Sequence, residues 1–186
     1  MLPSFLSNGL LPPADYEMSL AELRASSLVA RPPGVDLWDS EWRLHLVNNL
    51  EILVKQLWQV GIAEIYLDGS FVEDKAHPND IDGYFVCDTH FLASGRLQQE
   101  LNLLEPDKIW TWEQTSRRPY RGYPKRQLPM WHKYRVELYP HIPGVGWSSG
   151  IPDKFGHEME FPSAFRQCRR DGEPKGIVKI RQGVAS

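Results

Sequence analysis

Only two cysteines occur in the 186-residue chain, Cys87 and Cys168. That is too few for a disulfide framework. Cys87 ends an apolar run, so a buried free thiol is expected there. Apolar runs of transmembrane length are missing. The opening MLPSFLSNGLLPP has neither the basic start nor the sustained apolar stretch of a secretory signal, and a cytosolic chain with no membrane partner is expected. An excess of charge of one sign is also missing. The 21 Lys and Arg nearly balance the 24 Asp and Glu, for a net charge of −3, which gives no global attraction to nucleic acid or anionic lipid. His77, His132 and His141 are not spaced with each other or with the cysteines as zinc ligands. Walker A, dinucleotide-binding glycine and Gly-x-Ser-x-Gly patterns are absent, as are internal repeats.

What is present is an ordinary globular composition, 41% hydrophobic and 24% charged, somewhat rich in Trp (7) and Pro (15). The length suits a single domain. Residues 1–15, punctuated by Pro3, Pro12 and Pro13, read as irregular and open an N-terminal arm over 1–36. Within it Ser19 to Val29 reads as a short helix, with Ser19 as N-cap and Glu22 at the capping-box position. Pro32-Pro33-Gly34 then break the chain. From Trp38 to Val60 the residues Trp42, Leu46, Leu50, Leu53, Leu57 and Val60 recur at steps of three and four. Gly61 follows where a terminating glycine belongs, the signature of a core-packing helix.

Strands are expected at Ala63–Asp68, Ile81–Cys87, Lys108–Trp112, Tyr134–Tyr139 and Ile177–Ile180. A helix capped by Thr89 should carry Phe91, Leu92, Leu97, Leu101 and Leu104 as far as Pro106. Another short helix is expected at Ser163–Arg170, with Gly- and Pro-rich loop before it. The interleaving predicts an α/β (α+β) fold, a small mixed sheet with helices packed on one face.

The stretch IYLDGSFVEDKAHPNDIDGYFV, Ile65 to Val86, carries the clearest chemistry. Residues two apart on a strand share a face, so Asp80 and Asp82 project together while Ile81 packs behind them. Two adjacent carboxylates repel and call for a cation. Mg²⁺ (or Mn²⁺) suits them, being a hard ion usually held by one or two carboxylates plus substrate phosphates. The competing reading is an Asx-rich bend after Pro78. Asp82 argues against it, because it lies in an apolar run where an unpaired charge is expensive. Gly69 lets backbone N–H groups approach a phosphate and Ser70 adds a hydroxyl donor. The competing reading of this pair is an ordinary tight turn.

The Gly-Ser pair, a nine-residue spacer and Asp-x-Asp resemble the nucleotidyltransferase superfamily, the DNA polymerase β-like group. The chain also resembles a family of small bacterial and phage-associated proteins of unknown role, through Leu11-Pro12-Pro13, Asp68 to Val72, Pro78 to Asp82 and Gly172 to Ile177. The resemblance implies a nucleotidyltransferase-like fold and a third acidic residue on a neighbouring strand, where two-metal phosphoryl transfer needs one. Glu137 in YRVELY is the candidate. Alternation alone cannot choose its face, and pairing with Arg135 or Lys133 on a solvated face stays open. The resemblance further implies a basic residue soon after Gly-Ser. Here Phe71-Val72-Glu73-Asp74 intervene before Lys75, which is the candidate to replace it, the competing and favoured reading being a solvated loop lysine.

Arg117 to Arg135 holds seven of the 21 Lys and Arg and no acid, with Tyr120, Tyr123, Trp131 and Tyr134 interleaved. This basic aromatic loop, 113–133 with its flank, fits polyphosphate or single-stranded nucleic acid, an acidic protein partner, or a counterweight to the acidic site. The expected function is therefore Mg²⁺-dependent transfer of a nucleotidyl group from an NTP, ATP favoured, to a protein or nucleic-acid hydroxyl. Asp80, Asp82 and Glu137 would hold metal and Gly69, Ser70 and Lys75 the nucleotide. Similar small proteins include antitoxins that modify a partner toxin. The alternative is an inactive module of the same fold that binds nucleotide, nucleic acid or a partner protein.

Overall fold

The computed structural model describes residues 2–32, 35, 37–145 and 148–183. The chain runs through β1 (Asp15–Met18), α1 (Leu20–Ala25), α2 (Ser40–Gln59), β2 (Ile65–Asp68) and a 3₁₀ turn (Gly69–Val72) into β3 (Ile81–Val86). Next come α3 (Thr89–Ala93), α4 (Arg96–Leu104), α5 (Pro129–Tyr134) and β4 (Val136–His141). A hairpin of β5 (Ser148–Pro152) and β6 (Glu158–Glu160), then α6 (Phe161–Ala164) and β7 (Ile177–Ile180), complete it. Five strands form a mixed sheet in the order β1-β7-β2-β3-β4. β7 lies antiparallel to β2 and β2 to β3, whereas the outer pairs β1–β7 and β3–β4 are parallel.

Strand alternation divides the sheet's side chains into two layers. Ile65, Leu67, Ile81, Phe85, Val136, Leu138, Val178 and Ile180 join the larger core, with residues from α1, α2, α4 and α5. Leu46, Leu50, Leu53 and Leu57 of α2 are fully buried in it. Each such leucine is worth roughly 1.5–3 kcal/mol, against about 1 kcal/mol for an N-cap, so packing rather than capping holds α2 in place. The opposite face carries Tyr66, Tyr84 and Ile177, covered by Phe161, Ala164 and Phe165. The short α6 thus sits across the sheet from the longer helices, where all helices were expected on one side.

Ser19 and Glu22 form the expected reciprocal capping box, and Gly61 follows α2 with φ of +83°. Other expectations need correction. Lys108–Trp112 is not a strand, because the Asn102 side chain takes both backbone groups of Trp110, accepting at 3.0 Å and donating at 2.8 Å. Tyr134 and Arg135 end α5 instead of opening β4, with Arg135 in the left-handed region at φ 55°. The helix after Cys87 is two helices, α3 capped by Asp88 and α4, separated at Gly95 with φ of +76°. The helix placed at Ser163–Arg170 is only the turn of α6, and the arm contains β1. Residues 33 and 34 of the expected Pro-Pro-Gly break lie outside the described residues. Both cysteines are buried and free. Among the described residues no helix is long and apolar enough to cross a membrane.

Candidate functional site

Putting Leu67, Ile81 and Val136 in the core forces their neighbours to the other face. Asp68 ends β2 opposite Asp82 of β3, and Asp82 lies beside Glu137 of β4. Three carboxylates therefore stand in one row across three strands. Asp80 precedes β3 by one residue, and its Oδ2 accepts from the Trp131 indole N–H at 2.7 Å. Glu137 is 5% exposed. Its Oε1 accepts from the Leu128 N–H at 2.8 Å, its Oε2 from the Tyr139 hydroxyl, and Arg117 stands 3.5 Å away.

The solvated pairing left open for Glu137 does not occur. Lys133 binds Glu105 and Asp107, while Arg135 stacks over Trp131 at 3.9 Å and Tyr120 at 4.3 Å.

At Gly69 the chain leaves β2 with φ of +77°, a conformation that favours glycine. Gly69 and Ser70 line the same cleft as Asp80, Asp82 and Glu137. Lys75 does not. It is exposed and outside the cleft lining, and its carbonyl accepts from the buried Arg43 at 2.6 Å. The lysine beneath the Gly-Ser turn is Lys175. Its Nζ lies 2.7 Å from Glu73 Oε1 and 2.8 Å from Asp68 Oδ1. The contact with Asp68 is close but poorly aligned, since that oxygen has no hydrogen bond of good geometry. Asp68 thus belongs to a buried ion cluster, while the other three acids face the cleft.

Burial pushes the Asp82 carboxyl up to about 8, with the neighbouring Asp80 adding most among the charges and Arg169 opposing. Burial likewise raises Asp80, against the Trp131 hydrogen bond and then Lys75. The cation nearest Asp82 is Arg169, 3.9 Å from Oδ2 on a side chain that is 53% exposed. Asp68 has Lys175 and Glu137 has Arg117, so Asp82, with only that half-exposed guanidinium, is the acid of the row that could best use a hard divalent ion, which prefers oxygen donors. As they stand, no three acidic, His or Cys side chains among the described residues form a complete metal-holding group. Asp80, Asp82 and Glu137 are the residues that could supply part of a shell of the kind Mg²⁺ takes when water and phosphate supply the rest.

The cleft holds about 860 Å³. Arg117, Lys125, Arg126, Arg169, Arg170 and Lys175 supply cations to its walls, and Trp112, Phe161 and Phe165 supply apolar surface. Sequence reasoning missed the roles of Arg169, Lys175, Trp131 and Tyr139. Lys175 carried a signal, since it lies in the Gly172–Ile177 segment singled out above. Tyr139 carried one too, since it lies two residues from Glu137 on the same strand face, whereas Trp131 reaches Asp80 only through the packing of α5. Chemically, the arrangement sets three carboxylates beside cationic walls, donors of the two kinds that a divalent cation and a polyphosphate respectively require.

The model of a family of unknown function, DUF6932, matches residues 3–181, and the chain belongs to that family. No curated protein and no solved structure matches it.

Proposed function

We propose that this DUF6932 protein is a divalent-cation-dependent nucleotidyltransferase, moving an NMP group from an NTP to a hydroxyl of a protein or nucleic acid. The observation that carries the reading is Asp82, in register with Glu137 and two residues from Asp80, facing a basic cleft with only the half-exposed Arg169 at 3.9 Å to offset its charge. Asp80, Asp82 and Glu137 would hold Mg²⁺ or Mn²⁺, which supplies charge neutralisation and alignment of the phosphates. The chain's own groups do the remaining positioning. Gly69 admits phosphate close to the backbone, and the Ser70 hydroxyl donates to it. Arg126 and Arg169 offset phosphate charge, while Trp112 and Phe161 give a base an apolar wall. Tyr139 and the Leu128 N–H hold Glu137 in orientation. Phosphoryl transfer needs mostly this positioning and electrostatic stabilisation.

ATP is the favoured donor, and an antitoxin-like transfer to a partner toxin is one form the reaction would take. The two buried thiols suit a reducing, cytoplasmic setting. The test is Mg²⁺-dependent release of pyrophosphate from each NTP with cell-lysate acceptors. Wild-type release above that of Asp80→Ala/Asp82→Ala is expected, and equal release by the two sinks the enzyme reading.

A second reading, a nucleotide-holding module without turnover, is favoured by one specific observation. Both Glu137 oxygens already accept hydrogen bonds from the protein. Nucleotide binding with no pyrophosphate release is what this reading expects.

A further inference from the structure

Between Arg117 and Leu128 the chain forms a finger on the edge of the cleft. Arg118 and Gln127 exchange both backbone hydrogen bonds, at 2.9 and 2.8 Å, and the Tyr123 N–H closes the tip on the Tyr120 carbonyl at 3.0 Å. Tyr120 and Tyr123 stand edge-on to Trp131, with ring centroids 5.0 and 4.9 Å away. Aromatic packing therefore anchors the tip of the finger, and Arg117 fastens its base by donating to the Arg126 carbonyl at 3.1 Å and the Tyr139 hydroxyl at 3.1 Å. Trp131 also holds Asp80, so the root of the finger touches the acidic floor.

Of the finger's cations only Arg117 has an acidic partner, Glu137. Arg118, Arg121, Lys125 and Arg126 have no carboxylate within 4.0 Å among the described residues. Cations elsewhere are commonly matched, as in Arg166–Asp15, Arg181–Glu22 and Lys179–Glu17. A concentration of unmatched cations in a chain of net charge −3 is a built attraction for a polyanion.

Two features select the kind of polyanion. Guanidinium planes, with the Tyr120 ring, which is 39% exposed and carries Arg135 over one face, offer surfaces on which bases stack, which a carboxylate peptide does not use. The adjoining cleft of about 860 Å³ is of the size that takes one small ligand, so a strand end enters it and a duplex does not. We propose that the finger over residues 117–128 is a docking surface for single-stranded nucleic acid. The binding stands on the finger alone; that the strand's terminal hydroxyl is the acceptor rests on the nucleotidyltransferase reading.

The test is fluorescence anisotropy of a labelled mixed-sequence 12-nucleotide RNA, in EDTA and without nucleotide. Four phosphate contacts give a log–log salt slope of about −2.8, so a fourfold rise in salt should weaken binding roughly 50-fold. Arg118→Gln/Arg121→Gln/Lys125→Gln/Arg126→Gln should remove most of that slope and weaken binding at least about tenfold. Its thermal transition should stay in place, since these side chains hold no core contact. Lys55→Gln/Arg96→Gln, which removes cations outside the finger, should bind as wild type does. Asp82→Ala should keep binding even where pyrophosphate release is lost, which separates this proposal from the catalytic one. Undiminished binding by the quadruple variant overturns the proposal. So does an RNA duplex or a polyglutamate peptide that competes as well as the single strand, the latter pointing to an acidic protein instead.

Discussion

Gly69 and Asp82 meet so closely that a Cβ placed on the glycine would lie 2.7 Å from Oδ2 of the aspartate. The 3₁₀ turn and the acidic row are thus fitted to each other, and the glycine serves twice, through its φ of +77° and through this contact. Gly69→Ala should cost about 1–2 kcal/mol from the left-handed backbone alone, lowering Tm by roughly 2–8 °C for a domain of this size. Displacement of Asp82 should also abolish any rise in Tm that Mg²⁺ gives the wild type. Thermal denaturation with and without Mg²⁺ reads both effects. An alanine variant that keeps the full Mg²⁺ response would show that the close contact is immaterial.

The elevated Asp82 carboxyl makes stability depend on pH. Its ordinary value is 3.8 and its folded value about 8, through burial first and Asp80 second, with Glu137 and Asp68 adding and Arg169 opposing. A raised folded pKa means that the folded state holds the proton more tightly. The resulting stabilisation is complete below the unfolded value and is lost as pH rises through about 8. Asp80 and Asp68, both raised chiefly by burial, act with the same sign. In EDTA, Tm should therefore decline between roughly pH 4 and 8, and saturating Mg²⁺ should flatten the decline by taking the proton's place. Asp82→Asn should show a shallower decline and a smaller Mg²⁺ effect. Identical profiles for the two proteins would remove Asp82 as the titrating group.

The sequence made the acids legible and left their surroundings dark, for physical reasons. Period-two alternation put Asp80 with Asp82, and the apolar neighbours of Glu137 marked a strand. The choice of face for Glu137 came only when Val136 and Leu138 were seen against α2 and α5. Helix α2 and strand β7 were readable because each packs a regular apolar pattern into the core. Local patterns could not show that β7 lies between β1 and β2, since that pairing joins segments far apart in the chain. It is this pairing that brings Lys175 to Asp68. The β5–β6 hairpin was hidden by its Gly- and Pro-rich composition, and α5 by the basic residues around it.

Arg43 offers a test of how the Gly-Ser turn is supported. The side chain is fully buried in α2 and donates to the carbonyls of Leu28, Phe71, Glu73 and Lys75, while its guanidinium stacks 3.8 Å from the Trp38 ring centre. It fastens the connector that follows Gly69-Ser70 to the longest helix. Arg43→Met fills much of the volume but leaves those carbonyls without a donor, at a cost of roughly 3–5 kcal/mol. Urea denaturation should show the loss, and proteolysis between Phe71 and Pro78 should quicken. Arg43→Lys should recover only part of both, because an ammonium cannot span the same carbonyls as a planar fork. A methionine variant within about 0.5 kcal/mol of wild type, the range of an ordinary surface change, would mean that the connector needs no such fastening.

Lys175 and Asp68 should behave as a coupled buried pair. Their side chains are only 3% and 2% exposed, and Glu73 shares the lysine. Burial, the largest single influence on Lys175, acts to lower its pKa, yet Asp68 and then Glu73 outweigh it and hold the ammonium charged. Removing the lysine strands Asp68 in the interior, so Lys175→Met should cost roughly 3–5 kcal/mol. Asp68→Asn in the same chain removes the stranded charge and should restore much of that loss, since replacing both members of a buried pair is often close to neutral. A double-mutant cycle by urea denaturation measures the coupling. If Lys175 also meets phosphate, the double variant should regain stability without regaining the rise in Tm that NTP gives the wild type. Strict additivity of the two substitutions would dissolve the pair, and a full nucleotide response in the stable double variant would place the phosphate contact with the arginines of the cleft instead.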